Sequence, residues 1–208
     1  MLGSVPFGVI AGRVVGGVDV RQYGSGSTGT TNVLRTVGKR AAVAVLLLDM
    51  GKSVVAVLLA KLLTDSAGVE VVTALAAISG HIWPIFAGFK GGKGISVGWS
   101  ALFVIEPIAG LVATLVGAPV IAISRYVSLG SIMGAISGCI SLFILAFTTE
   151  ISTVYAWYAV VGCSSVLVLH RENISRLIRG EERKIGQRTV EAVPSQEPSR
   201  QKGFRWPG

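Results

Sequence analysis

Three short segments hold most of the residues able to do chemistry, and each sets cations or short donors among small or polar neighbours. The first, YGSGSTGTTNVLRTVGKR over residues 23–40, carries Gly24, Gly26 and Gly29, the donors Ser25, Ser27, Thr28, Thr30, Thr31 and Asn32, and the cationic fork of Arg35. Glycines let backbone N–H groups converge on an anion, and a guanidinium adds two parallel donors to a phosphate or carboxylate. The glycines spell GxGxxG, but the preceding VDVRQY is charged and follows an apolar run, which argues against a dinucleotide site. What remains is a phosphate cradle or, alternatively, a flexible polar loop whose arginine follows the basic bias of cytoplasmic loops.

The second segment, GHIWPIFAGFKGGKGIS over residues 80–96, is not a Walker A loop: Ala87 stands where glycine is needed, and Gly94 follows Lys93 where serine or threonine is needed. Gly91, Gly92 and Gly94 still permit close backbone approach, so Lys93 and the N–H groups of the following helix can face one anion, with Lys90 in reserve. The alternative is a positive turn between two spans. His81 and Pro84 read as a helix-end histidine and a kink. The third segment, HRENISRLIRG over residues 170–180, places His170 and Asn173 three apart on one helical face, with Glu172 pointing elsewhere. Imidazole and carboxamide can meet one ligand, or the segment is an interfacial cap. Asp49 and Lys52 are likewise three apart inside an apolar run, either as a structural ion pair or facing a ligand.

The elements that must position these groups are apolar. Of 208 residues, 51% are AVILMFWYC, a further 27 are glycine, and only 14% are charged, against about 25% in soluble domains. With a mean hydropathy of +0.66, the chain reads as an integral membrane protein, and its net +8 marks cytoplasmic loops rather than a nucleic-acid site. Cys139 and Cys163 sit in apolar runs without the spacing of a metal site or a disulfide framework.

Apolar runs fall at 2–18, 41–63, 69–86, 94–105, 107–124, 127–147 and 151–169. Crossing about 30 Å of hydrocarbon takes roughly 17 to 25 helical residues, so most of these can span. The expected fold is all-α, a polytopic bundle of about seven transmembrane helices, six if the short fourth run does not cross. Charge at the joints alternates: Arg21, Arg35, Lys39 and Arg40, then Asp65 and Glu70, Lys90 and Lys93, Glu106, Arg125, Glu150, and a basic tail. That predicts an outside N-terminus, a cytoplasmic C-terminus and all three polar segments on the cytoplasmic side. Small residues every fourth position, at Ser4, Gly8, Gly12 and Gly16 and again at Gly130, Gly134 and Gly138, predict close helix packing. Residues 1–186 are expected to form one membrane domain, and 187–208 a disordered basic tail drawn to lipid headgroups.

Taken together, GSG..G.TN..R, GH..P.F..FKGGKG, RYVSL.SI and HREN resemble the bacterial acyl-phosphate:glycerol-3-phosphate acyltransferases, the PlsY family, from Gly3 to about Gly186. The resemblance implies acyl transfer from a fatty acyl phosphate, supplied by a separate phosphate:acyl-carrier-protein acyltransferase, to the 1-hydroxyl of glycerol 3-phosphate. Lysophosphatidate and phosphate would be the products, at the cytoplasmic face of the bacterial plasma membrane. It also implies that Ser25, Arg35, Lys93, His170 and Asn173 are catalytic. It further puts Gly91, Gly92 and Gly94 against substrate and makes Glu172 structural; the loop composition adds Gly24, Gly26, Gly29, Thr31 and Asn32 as substrate-binding residues, and the spacing of Asp49 and Lys52 makes that pair structural. Ser27 and Thr30 stand where that family usually has Asn and Ala. An acyl phosphate is already activated, so no acyl-enzyme is needed, and no Ser-His-Asp or HxxxxD arrangement is present. No metal or cofactor is expected, since Asp19, Asp49 and Asp65 are scattered. A transporter for a phosphorylated solute is the alternative, although the sequence lacks the repeated halves usual there.

Overall fold

The computed structural model describes residues 1–187, and the expected tail therefore lies outside the described residues apart from Gln187. Nine α-helices occur among the described residues: α1 (Phe7–Gly16), α2 (Thr30–Thr36), α3 (Lys39–Thr64), α4 (Ala67–Ile82), α5 (Ile95–Ile105), α6 (Pro107–Ser124), α7 (Val127–Thr148), α8 (Tyr155–Leu169) and α9 (Arg171–Ile178). Each of the seven apolar runs is largely helical, but they differ in length. Four stretches are long and apolar enough to cross a membrane: Lys39–Thr64, Ala67–Ala87, Pro107–Ser124 and Val127–Thr148. Leu2–Gly16, Ile95–Ile105 and Tyr155–Leu169 are shorter. Outward side chains on long and short helices alike are apolar, as with Val14 at 79%, Leu62 at 78% and Ile123 at 85% exposure, a pattern that water would penalise and lipid does not.

Local chemistry sets the helix ends. Glu106 stops α5 and starts α6: its carboxylate accepts the Ile108 N–H at 3.1 Å, and Pro107 occupies the first helical position, where its missing N–H costs nothing. At about 1.5 Å per residue, the 11-residue α5 is roughly 16 Å long. It packs against α3, α4, α6 and α8, so neighbouring helices rather than lipid surround it.

The two small-residue stripes do different work. Gly130, Gly134 and Gly138 let α7 lie against α6, where a Cβ at Gly134 would stand 2.8 Å from the Ala113 carbonyl oxygen, too close for any real contact. This is the expected helix-helix seam. The stripe in α1 instead meets loop backbone. A Cβ at Gly8 would run into the Thr28 carbonyl, and one at Gly12 would stand 2.9 Å from the Val18 carbonyl oxygen. The first helix is thus a platform for the first polar segment.

That segment is less of a loop than its composition predicts. After a loop over residues 23–29 it becomes α2, which is followed directly by α3. Val20, Val33, Ala41, Ala42 and Val45 form a small core beneath it, separate from the larger core shared by α3, α4, α5, α6, α7 and α8.

Candidate active site

Asn32 organises the first loop. Its side chain is almost wholly buried; Oδ1 accepts the Ser25 N–H at 3.0 Å, while Nδ2 faces the carbonyls of Val20 at 2.8 Å, Tyr23 at 3.1 Å and Ser27 at 2.8 Å. An amide so engaged holds backbone in place and has little left for a ligand. Gly24 belongs to the same device: its φ is +63°, and a Cβ there would collide with Asn32 Oδ1. Ser25 projects from this fixed turn as an exposed residue, its hydroxyl without a hydrogen-bond partner among the described residues. Thr31 is half-buried at the start of α2. Gly26 has φ +68°, whereas Gly29 has ordinary dihedrals and room for a Cβ, with Ser27 Oγ 3.4 Å away.

The second segment leaves α4 at Ile82, turns at Pro84 and returns over the end of the same helix. Gly92 donates to the His81 carbonyl at 3.1 Å, and a Cβ at Gly91 or Gly92 would overlap the His81 carbonyl or the His81 ring. Gly94, at φ +76°, then opens α5. The glycines are therefore required by the protein's own backbone and histidine, rather than by the approach of a ligand alone. Beneath the turn, buried Lys52 Nζ lies 2.7 Å from Asp49 Oδ1 and 3.1 Å from His81 Nδ1, both buried, and 3.0 Å from the Val5 carbonyl oxygen. His81 thus links the ion pair to the glycine turn. Lys90 is exposed.

The third segment differs from the expected single helical face. His170 ends α8 and precedes α9 with φ −100° and ψ 5°, so it sits at the joint between two helices. Its Nδ1 lies 2.9 Å from the Val166 carbonyl oxygen. A carbonyl accepts only, so the ring proton is on Nδ1 and Nε2 is an acceptor. Burial pushes this imidazole down to about 4, and nearby Lys93 adds to the shift, so the ring is neutral at pH 7. Asn173 is buried, whereas Glu172 is exposed in the first turn of α9, where a carboxylate complements the helix N-terminus.

The three segments meet. Thr28 donates its N–H to the Gly91 carbonyl at 3.3 Å, joining the first to the second. Lys93 Nζ donates to Asn173 Oδ1, joining the second to the third. Arg35 donates to the Arg183 carbonyl at 3.2 Å. Burial lowers the affinity of both Arg35 and Lys93 for their protons, as does neighbouring Arg176, while Glu182 opposes the change. Sequence reasoning missed Glu182, which accepts from Ser128 Oγ, Asn173 Nδ2 and Arg176 Nε, each at 2.7 Å. RYVSL contained Ser128, but an acidic residue in a polar stretch gave no signal of its own.

Lys93 also lines an apolar cavity of about 390 Å³ between α5, α6, α7 and α8. Ile78, Leu102, Ala135, Cys139 and Leu169 are among its walls. One surface therefore combines a cationic polar cluster with a channel fit for hydrocarbon.

Similar proteins place the chain in a family. The family model for glycerol-3-phosphate acyltransferase matches residues 1–180. Glycerol-3-phosphate acyltransferases from Synechococcus sp. (strain CC9902) and Desulforamulus reducens are 46% and 43% identical, each over 188 residues, 90% of this chain and 92% of theirs. A crystal structure of PlsY (YgiH), an integral membrane glycerol 3-phosphate acyltransferase in its glycerol 3-phosphate form, superposes with a TM-score of 0.80 at 38% identity, covering 89% of this chain and 90% of that one. The same protein in its lysophosphatidic acid form gives 0.77 at 37% identity with the same coverage. The chain belongs to the glycerol-3-phosphate acyltransferase family of integral membrane proteins.

Proposed function

We propose that this chain transfers a fatty acyl group from an acyl phosphate to the 1-hydroxyl of glycerol 3-phosphate, releasing lysophosphatidate and phosphate for phospholipid synthesis. The observation that carries this reading is the double position of Lys93, at once a member of the polar cluster and a wall of the apolar cavity. The acyl chain of the donor occupies the cavity, and its phosphate emerges beside Lys93.

Both substrates are anionic, at about −2 per phosphate near neutral pH, so the site must overcome their repulsion. Arg35 and Lys93 supply the charge, and the Ser25 hydroxyl, held out by the Asn32 brace, supplies a donor to the reacting phosphate. Asn173 and Lys93 hold glycerol 3-phosphate. The hydroxyl attacks the acyl carbonyl carbon, the acyl C–O bond to phosphate breaks, and phosphate leaves with the electron pair. The hydroxyl proton passes to a phosphate oxygen of the substrate, while neutral His170 orients the acceptor through Nε2. Fixed cations that stabilise the tetrahedral intermediate, together with positioning, supply the rate.

The active site faces the cytoplasm in this reading, with seven membrane helices, an outside N-terminus and the basic loops inside the bacterial plasma membrane. A separate acyltransferase that forms acyl phosphate from acyl-carrier protein supplies the donor.

The test is a donor assay on purified protein without added metal or ATP. Palmitoyl phosphate and glycerol 3-phosphate are expected to give lysophosphatidate, and palmitoyl-CoA is expected to give none. Turnover of the thioester at a comparable rate would overturn the donor assignment.

A further inference from the structure

Glu182 lies beyond the residues matched by the family model, in the extended segment that follows α9. That segment crosses back over the site. Ile185 donates to the Arg125 carbonyl at 2.8 Å, Arg125 Nη2 donates to the Ile185 carbonyl at 2.8 Å, and Arg35 reaches the Arg183 carbonyl. Within it the Glu182 side chain is buried, its Oε1 shared by Ser128 Oγ and Asn173 Nδ2 and its Oε2 bound by Arg176 Nε.

A carboxylate only accepts hydrogen bonds, and an ammonium only donates them. Asn173 stands between one of each. Its Nδ2 must therefore face Glu182 and its Oδ1 must face Lys93, and the reverse orientation would set like groups against one another at both ends. We propose that Glu182 is a positioning residue for acyl transfer: it fixes the Asn173 amide so that Oδ1 holds Lys93 where glycerol 3-phosphate binds. The carboxylate does not touch substrate. Its effect passes through Asn173, while Ser128 and Arg176 keep the carboxylate in place from α7 and α9.

This inference rests on the reading that Asn173 and Lys93 hold glycerol 3-phosphate, so the variants are chosen to separate the two. Glu182→Gln, Asn173→Ala and Glu182→Gln/Asn173→Ala would be purified and assayed against both substrates. In Glu182→Gln the amide oxygen goes to the charged donor Arg176 and the NH2 group then faces Asn173 Nδ2, donor against donor, so KM for glycerol 3-phosphate should rise about tenfold while KM for acyl phosphate stays within twofold. The double variant should be no worse than Asn173→Ala alone, since the pathway is already cut. The neighbouring Glu181→Gln, at an exposed site, is the control with no change.

A second pair keeps the test sharp if Glu182→Gln folds poorly. Asn173→Asp places two carboxylates against each other, whereas Asn173→Asp with Glu182→Gln restores a donor facing an acceptor at the wild-type total charge. The pair should recover at least tenfold in kcat/KM over Asn173→Asp alone. An unchanged KM in Asn173→Ala would sink the reading beneath the inference, and the inference with it. A raised KM there, with Glu182→Gln at wild-type KM, multiplied losses in the double variant or no recovery in the Asp/Gln pair, would sink the inference alone.

Discussion

His81 Nδ1 lies 3.1 Å from Lys52 Nζ, which in turn lies 2.7 Å from Asp49 Oδ1, so a charged pair inside α3 reaches the turn that presents Lys93. An ionised side chain costs about 2.5 to 3.5 kcal/mol at the centre of a membrane helix, and the pairing offsets that cost. Removing one partner leaves the other charge buried alone, a loss of about 3 to 5 kcal/mol in measured cases, whereas replacing both by apolar groups is often close to neutral. Asp49→Asn and Lys52→Met should each lower the melting temperature in detergent, and Asp49→Leu/Lys52→Met should melt above either single variant. A double variant below both would show that these groups do more than neutralise each other.

Gly92→Ala tests the upper end of the same chain of contacts. A methyl group there would overlap the His81 ring, so the turn or the ring must shift. Activity should fall with both kcat and KM affected, because Lys93 moves with its neighbour. Shortening the histidine should make room: Gly92→Ala/His81→Ala should be more active than Gly92→Ala. If the second substitution instead deepens the loss, the glycine serves the ligand's approach and not the packing.

Arg35 offers a cleaner comparison of charge with geometry. Its guanidinium is partly buried and donates to the Arg183 carbonyl, a partner that an incoming phosphate would replace. A charge-assisted contact of this kind contributes about 1.5 to 3 kcal/mol, so Arg35→Ala should lower kcat/KM by roughly 10- to 150-fold. Arg35→Lys should recover only part, since an ammonium copies the charge without the two-pronged donor. Full activity in Arg35→Ala would remove this cation from the mechanism.

Much of this arrangement was legible in the sequence, for physical reasons that differ by residue. Glu106-Pro107 announced the end of a helix too short to span alone, because a capping carboxylate and a first-turn proline act locally. Arg35, Lys93 and Asn173 were conspicuous because polar groups beside apolar runs are expensive. Asn32 was read as a ligand contact because its type is right; its actual partners are four backbone groups that composition does not reveal. His170 was placed on a helical face with Asn173, but the chain bends at that residue. Glu182 had no local signal, since Ser128 is 54 residues away in the chain and only the fold brings them together.

His170 carries a prediction about pH. Burial pushes its imidazole down to about 4, so as pH falls from 7 an ordinary histidine protonates near 6.5 while His170 stays neutral until about 4. The second ionisation of a phosphate monoester lies near 6, which places the substrate's own titration above that of His170. An acid limb in kcat/KM near pH 6 should therefore belong to substrate and persist, at lower amplitude, in His170→Gln. NMR of the imidazoles should show the His170 signal without a charge transition between pH 5 and 8. A His170 transition near 6.5 would mean that water reaches the ring freely and that the neutral orienting role is wrong.

The cavity yields the last test, because its apolar walls meet the acyl chain and no other part of the substrates in the proposed reaction. Ala135 lines it on α7, and replacing it by phenylalanine would fill part of the cavity without altering charge. A shortened channel cannot bury the end of a long chain, and each methylene left in water forfeits about 0.8 kcal/mol. Ala135→Phe should then raise KM for palmitoyl phosphate several-fold or more while leaving decanoyl phosphate nearly unaffected. KM for glycerol 3-phosphate should not move, since the polar contacts of Arg35, Lys93 and Asn173 do not involve Ala135. Equal losses for both chain lengths would mean that the bundle as a whole is disturbed. Unchanged kinetics for both would place the acyl chain against the lipid-facing surface instead of in this channel.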